Sequence, residues 1–407
     1  MNVQNQLQQA VDNNLAAYTE KSSEGVYSMQ GAATCVDNST GNVVAIVGSR
    51  SQEDIKGYVL NRAYQSYRQP GSCIKPLNVY TPYLQLGNTP DTKVTDSQID
   101  GGPANADASY AGEMTLTDAV KWSKNTVAWN IYQQITPKTG SSFLIKMGFH
   151  KIWVDKDYNA GALGGFTYGV TTEEMAGGYA ALANDGVYRK ATCIRLIVNA
   201  SNKTVVNETN RDSKVYDKSA SRMMTQMLRE VVLSGTGTSA NVENAVVAGK
   251  TGTTNASKDV WFCGYSKYYT TTVWAGYDYP KEMSGVNSRV NAIFKDFMTA
   301  VHTNLPVTDF STVTQQTTQP ETTAAVQEET QSLPQETTAI VPEMETTGIE
   351  QVTPQQVPAT TAQVPTTTPY QRWTTAPAQP KTTAPMQYGD IDATTRTDPD
   401  ATARGEW

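Results

Sequence analysis

The sequence predicts a mixed α/β (α+β) domain, an antiparallel central sheet flanked by helices, followed by a disordered C-terminal tail. Three observations carry this. β-type runs rich in Val, Thr and aromatic residues lie near both ends of residues 1–305, with helical patterns between them. Sheet strands contributed from both ends are therefore expected to close on each other. The composition changes near Phe310, beyond which Thr, Pro, Gln and Glu dominate without apolar periodicity. Residues 1–305 are accordingly read as one domain, and 306–407 as a Thr/Pro/Gln-rich tail that cannot bury enough surface to offset its ordering entropy.

Each element has its own signal. The opening "MNVQNQLQQAVDNNLAAY" places Val3, Leu7, Ala10, Val11 and Leu15 at helical spacing, which predicts an amphipathic helix. It lacks the basic start and continuous apolar stretch of a signal peptide. "GAATCVDNSTGNVVAIVG" is two β-type runs around Asn-Ser-Thr-Gly, a hairpin. After Pro70-Gly71 a helix is expected from Ser72, with Pro76 tolerated in its first turn and Pro82 kinking or shortening it. "EMTLTDAVKWSKNTVAWNIYQQI" and "TTEEMAGGYAALANDG" read as helices, the second stopping at Asn-Asp-Gly. "NAVVAGKTGTT", "KDVWFCGYS" and "YYTTTVWAGYD" predict a three-stranded meander.

Charge and composition exclude several functions. The net charge of −7 is uneven: residues 311–407 hold 4 Lys+Arg against 12 Asp+Glu, or −8, which leaves +1 for the rest. A near-neutral body without a basic run argues against a nucleic-acid partner. Cys35, Cys73, Cys193 and Cys263 show no CxxC spacing and the only histidines are His150 and His302, so no metal and no cofactor is expected. The four thiols are expected to pack as small apolar groups. No run of about 18 apolar residues exists to span a membrane.

The chemistry concentrates in "RQPGSCIKPLNVY", residues 68–80. On a helix, three residues turn ~300° and bring Lys75 back beside Ser72, whereas two turn ~200° and put Cys73 opposite. A desolvated lysine can act as general base for a serine without any histidine. Ser-x-x-Lys arises by chance about once or twice in a chain of this length, and here it occurs only at Ser72–Lys75.

Two further elements turn this spacing into a pattern. "SKN" stands at Ser123, Lys124 and Asn125, and "KTGT" at Lys250, Thr251, Gly252 and Thr253. Together they resemble, in order, the three active-site motifs of penicillin-binding proteins. "GNVVAIVGSR", "TYGVTTEEMAGGYAALANDGVY" and "GTGTSANVENAVVAGKTGTTNASKDVWFCGYS" resemble flanking segments of the same family. The similarity covers about residues 1–280 and is greatest to the transpeptidase half of bifunctional (class A) members, which implies a fold like theirs and that of serine β-lactamases. A second "KTGS" at Lys138–Ser141 leads into a helical run, and "SAN" at Ser239–Asn241 falls outside the family's order. Lys250, on a strand, is the better match.

The resemblance implies a penicillin-sensitive D,D-transpeptidase acting on peptidoglycan stem peptides ending in D-Ala-D-Ala, with β-lactams as inhibitors. Ser72 would be the nucleophile, Lys75 its base, and Ser123 the relay to the leaving amine. Asn125 would hold the substrate amide, and Lys250, Thr251, Gly252 and Thr253 would form the wall that grips the carboxylate, with N–H groups of Ser72 and Thr253 as oxyanion hole. It also implies an extracytoplasmic, cell-wall location and other cell-wall synthesis proteins as partners. The glycan-polymerising domain and membrane anchor expected upstream are not in this sequence. The departures are Cys73, where the family has a small Ser or Thr, and Pro82. A penicillin-binding sensor without turnover and a D,D-carboxypeptidase are the alternatives. The acids Glu173 and Glu174 lack the Leu-Asn context of a β-lactamase's water-activating glutamate and suit the first turn of a helix instead.

Overall fold

Strands with apolar side chains on both faces must be covered on both sides. The computed structural model, which describes residues 2–52, 59–207 and 212–311, covers them with two helical layers. The predicted tail lies almost wholly outside the described residues. In chain order the main elements are α1 (Val3–Leu15), β1 (Met29–Asp37), β2 (Val43–Val47), β3 (Lys93–Asp96), β4 (Gly112–Thr115), α2 (Leu116–Lys121), α3 (Asn125–Ile135), α4 (Pro137–Lys146), α5 (Thr172–Ala183), α6 (Lys218–Ser234), β5 (Ala248–Thr253), β6 (Asp259–Tyr265), β7 (Tyr269–Tyr277) and α7 (Asn287–Val301). A composite helix over residues 71–84 carries Ser72.

Five strands form one antiparallel sheet in the order β2-β1-β7-β6-β5. The meander is its second half. β1, arriving from the other end of the domain, pairs with β7 from Met29↔Tyr277 to Asp37↔Tyr269. Strand alternation sorts the two faces. Val260, Phe262, Val273 and Ala275 pack with Leu7, Val11 and Leu15 of α1 and Ile293, Phe294 and Phe297 of α7. Trp261, Cys263, Tyr265 and Trp274 face the opposite layer, where Ile74 and Leu77 of the composite helix meet Met175 and Tyr179 of α5 and Met224 and Leu228 of α6. Each large apolar side chain buried there contributes about 1.5–3 kcal/mol. The chain stays on the domain to its last described residues: Phe310 meets Tyr265 edge-on at 5.5 Å, and Asp309 pairs with Arg229 at 3.0 Å.

Two local expectations need correction, and a third gains detail. Residues 113–135 are not one helix: Gly112–Thr115 is a strand paired with Lys93–Asp96, and the helix breaks at Ser123. Cys193 is exposed rather than packed, unlike Cys35, Cys73 and Cys263. The helix is short, as Pro82 led one to expect, but the way it accommodates the proline was not foreseen. Residues 76–80 widen into a π-turn, and the Thr81 N–H reaches the Pro76 carbonyl five residues back. In that register the missing N–H of Pro82 would have served Leu77, whose carbonyl takes the Tyr216 hydroxyl at 2.6 Å instead. The helical stretch ends two residues later at Leu84.

Candidate active site

Gly71 opens the composite helix with φ 52°, and a Cβ there would stand 2.7 Å from the Thr253 carbonyl oxygen. Gly252 answers from β5, where a Cβ would meet the Pro70 oxygen at 2.4 Å and Cys73 Sγ at 2.8 Å. Two missing side chains thus let the first turn of the helix lie directly against the edge strand. That turn is 3₁₀ over Gly71–Ile74, and the Lys75 N–H bonds to the Ser72 carbonyl. Residues three apart eclipse in a 3₁₀ turn, so Lys75 stands above Ser72 more squarely than the α-helical phase predicts.

The same phase buries Cys73 completely and leaves Ser72 half-buried. Cys73 Sγ donates to the Lys250 carbonyl at 3.1 Å, and its own carbonyl accepts from the Tyr179 hydroxyl at 2.6 Å. It is a packing group.

Lys75 is fully buried, and Nζ donates to Asn125 Oδ1 at 2.7 Å and the Ser123 carbonyl at 2.9 Å, with Ser123 Oγ at 3.5 Å. On β5, Lys250 pairs across the sheet with Cys263, which aims its side chain at the helix side. It too is fully buried, and Nζ donates to Ser123 Oγ at 2.8 Å and to the Thr251 carbonyl at 3.1 Å. The Ser123 hydroxyl therefore sits between two lysine side-chain nitrogens. Burial, then the charge of Lys250, pulls Lys75 well below its usual 10.5. Burial lowers Lys250 to about 8. Ser123 holds a left-handed backbone, φ 57°, between α2 and α3. Such a conformation costs a non-glycine residue about 1–2 kcal/mol, and the surrounding bonds must hold it.

The three predicted elements thus converge on one site, and the second "KTGS" does not reach it: Lys138 is exposed on α4. Thr251 and Thr253 occupy the alternate positions of β5. Their hydroxyls meet Thr236 Oγ1 at 2.8 Å and Asn287 Oδ1 at 3.1 Å. Among the bonds of the described residues, Lys75 Nζ makes none to the Ser72 hydroxyl. Glu174 closes a capping box with Thr171 at the start of α5 and accepts the His150 N–H at 2.7 Å. Asp96, Asn105 and Asp107, which pack behind Ser123–Asn125, escaped the sequence reading. An Asp/Asn-rich stretch just ahead of "SKN" was the available signal. Among the described residues no group of three His, Cys, Asp or Glu could hold a metal, and no helix is long and apolar enough to cross a membrane.

A serine on a buried helix, a second serine between two buried lysines, and a lysine-bearing edge strand define the acyltransferase and serine-hydrolase kind of α/β domain. The model of the penicillin binding protein transpeptidase domain matches residues 31–299, and the chain belongs to that family. It is 33% identical over 326 residues to penicillin-binding protein 1A of Clostridium acetobutylicum, covering 75% of this chain and 40% of that protein. It is 36% identical over 298 residues to penicillin-binding protein 1A of Aquifex aeolicus, covering 69% of this chain and 39% of that one. The chain thus spans about 40% of the length of these relatives. Among solved structures, PonA1 of Mycobacterium tuberculosis in complex with penicillin V superposes with a TM-score of 0.63 at 22% identity, over 75% of this chain and 86% of that one. Penicillin-binding protein 1A of Haemophilus influenzae gives 0.59 at 24% identity, over 72% and 51%. These show the shared fold.

Proposed function

We propose that this domain is a penicillin-sensitive D,D-transpeptidase that cross-links peptidoglycan stem peptides through an acyl-enzyme on Ser72, at the cell-wall face of the cell. The observation that carries the reading is the Ser123 hydroxyl held between Lys75 and Lys250, one eclipsed turn from Ser72. A lysine whose proton is loosened by burial can accept one from serine near neutral pH.

Ser72 Oγ bonds to the carbonyl between the last two D-alanines while its proton passes to Lys75. The C–N bond then breaks, and the leaving D-alanine amine takes a proton through Ser123. The amine of a second stem peptide attacks the ester, the Ser72 C–O bond breaks, and the proton lost by the amine restores the serine. Asn125 holds the donor amide. Lys250, Thr251 and Thr253 face the terminal carboxylate, Gly252 admits the helix turn, and the N–H groups of Ser72 and Thr253 receive the oxyanion. In penicillin the cleaved amide nitrogen stays tethered and blocks the acceptor. Of the two acids weighed from the sequence, Glu174 is taken up by the N–H groups of Thr171 and His150 rather than by a water at the ester.

Incubation with a fluorescent penicillin, peptide mapping and intact-mass timing test this. The label should map to Ser72, persist for many minutes, vanish in Ser72→Ala and survive Cys73→Ser. Supplying a D-amino acid to a D-Ala-D-Ala donor should give exchange product in excess of hydrolysis. Label on Cys73, an adduct lost within seconds, or hydrolysis alone would each overturn it.

A further inference from the structure

Behind the serine turn lies a polar loop, residues 97–111, joining β3 to β4. β3 ends at Asp96, a fully buried carboxylate that accepts from Thr126 Oγ1 at 2.5 Å, Asn105 Nδ2 at 2.6 Å and the Ala111 N–H at 2.9 Å. Lys124 Nζ, also buried, stands 3.3 Å from Asp96 and 3.1 Å from Asp107, and donates to the Ser109 carbonyl at 3.1 Å and hydroxyl at 3.2 Å. Burial alone would raise the Asp96 carboxyl, but the bonds from Thr126, Ala111, Asn105 and Lys124 outweigh it and hold the group low. Two carboxylates thus more than balance the charge of Lys124.

Asn105 supplies the other half. The first N–H groups of a helix need acceptors, usually from the residue that caps it. At α3 that residue is Lys124, which makes no side-chain cap bond. Asn105 Oδ1, from 20 residues upstream, accepts the N–H groups of Asn125 at 2.7 Å and Thr126 at 3.3 Å instead. The Ala104 carbonyl takes Asn125 Nδ2 at 2.9 Å. This fixes which end of the amide meets Lys75, Oδ1 at 2.7 Å, and the second N–H of the amide remains for a ligand.

We propose that Asn105 and Lys124 are positioning residues for acylation: through Asp96 they clamp Ser123 and Asn125 at their places against Lys75. The clamp rests on the reading of Ser72 as nucleophile. Displacing a reacting group by about 1 Å can cost ~10²-fold in rate, and Asn105 and Asp96 hold the three residues that follow the left-handed turn at Ser123.

The test uses the full chain, fluorescent penicillin in stopped flow, and hydrogen exchange over residues 123–127. Asn105→Ala, which leaves the Asp96–Lys124 pair in place, and Lys124→Met should each slow acylation by roughly 10- to 100-fold with full labelling amplitude. Lys124→Arg should regain most of the rate. Exchange at Asn125 and Thr126 should quicken in Asn105→Ala. A merely structural role would lower the amplitude and leave the rate constant alone; that result, or wild-type rates in both variants, overturns the proposal. If the wild-type chain takes up no penicillin, the reading of Ser72 fails by itself. The exchange measurement then still decides the clamp, and unchanged protection at Asn125 and Thr126 sinks it.

Discussion

Replacing Lys250 with methionine should make the domain more stable and nearly inactive. Lys250 has its pKa lowered from 10.5 to about 8, burial being the largest cause. At pH 7 it is protonated both folded and unfolded, so the fold carries the whole penalty of the shift, about 3 kcal/mol at 1.36 per unit. Methionine fills similar volume without charge. It forfeits the bonds to Ser123 Oγ and the Thr251 carbonyl, together about 1–2 kcal/mol, so the net gain is about 1–2 kcal/mol. In a domain of this size that raises Tm by roughly 2–4 °C. The pH dependence is more diagnostic. Between about 8 and 10.5 the unfolded wild-type lysine holds its proton while the folded one has lost it. Wild-type stability therefore climbs with pH across that window, and the variant lacks this climb. Calorimetry at pH 7 and pH 10, with penicillin acylation alongside, reads all three quantities. Acylation should fall by ~10²-fold or more as one electrostatic stabiliser is lost. A lower Tm at pH 7, or the same climb in both proteins, would refute the account of Lys250 as a strained cation.

Wild-type acylation should be bell-shaped in pH. It rises as Lys75, pulled well below 10.5, gives up its proton and falls above about 8 as Lys250 loses the charge that holds the carboxylate; a plateau continuing to pH 10 would contradict this. Tyr216→Phe keeps the ring stacked 5.2 Å from Phe143 but strips the Leu77 carbonyl of its donor. It should cost about 1–3 kcal/mol in denaturant unfolding, and an unchanged midpoint would show the carbonyl finds another partner. Lys138→Ala, on exposed α4, should leave acylation unchanged and stability within about 0.5 kcal/mol; a loss comparable to that at Lys250 would place the wrong lysine in the cleft.

Much of this was legible because pattern and environment agree. Alternating Val, Trp and Phe in "DVWFCGYS" and "TTTVWAGY" announce strands buried on both faces, and Leu7, Val11 and Leu15 announce the helix that covers one of them. Ser72 and Lys75 were readable because helical phase is local. The serine turn was not. Nothing in "DAVKWSKNTVAW" opposes one continuous helix, and the left-handed Ser123 is held by groups distant in sequence: Lys75 and Lys250 bind Ser123 itself, and Asn105 and Asp96 bind the residues just after it. β3 and β4 were missed because they are four residues long and largely exposed, so no apolar alternation marks them. How the helix accommodates Pro82 was not legible for a similar reason: the hydroxyl of Tyr216 lies 139 residues from the carbonyl it satisfies.

Cys73 gives the floor of the cleft its own gauge. Its sulfur is wholly enclosed between the helix turn and β5 and bound to the Lys250 carbonyl, beneath a serine that solvent reaches. A thiol reagent can meet it only when the turn and the strand part, so its rate of modification counts those openings rather than the chemistry above them. Exposed Cys193 reacts without waiting and supplies the internal zero of the scale. A ligand that bridges Ser72 and β5 should lengthen the wait at Cys73 and leave Cys193 alone. The cysteine beside Ser72 is thereby a native probe of how firmly the two walls of the site are joined.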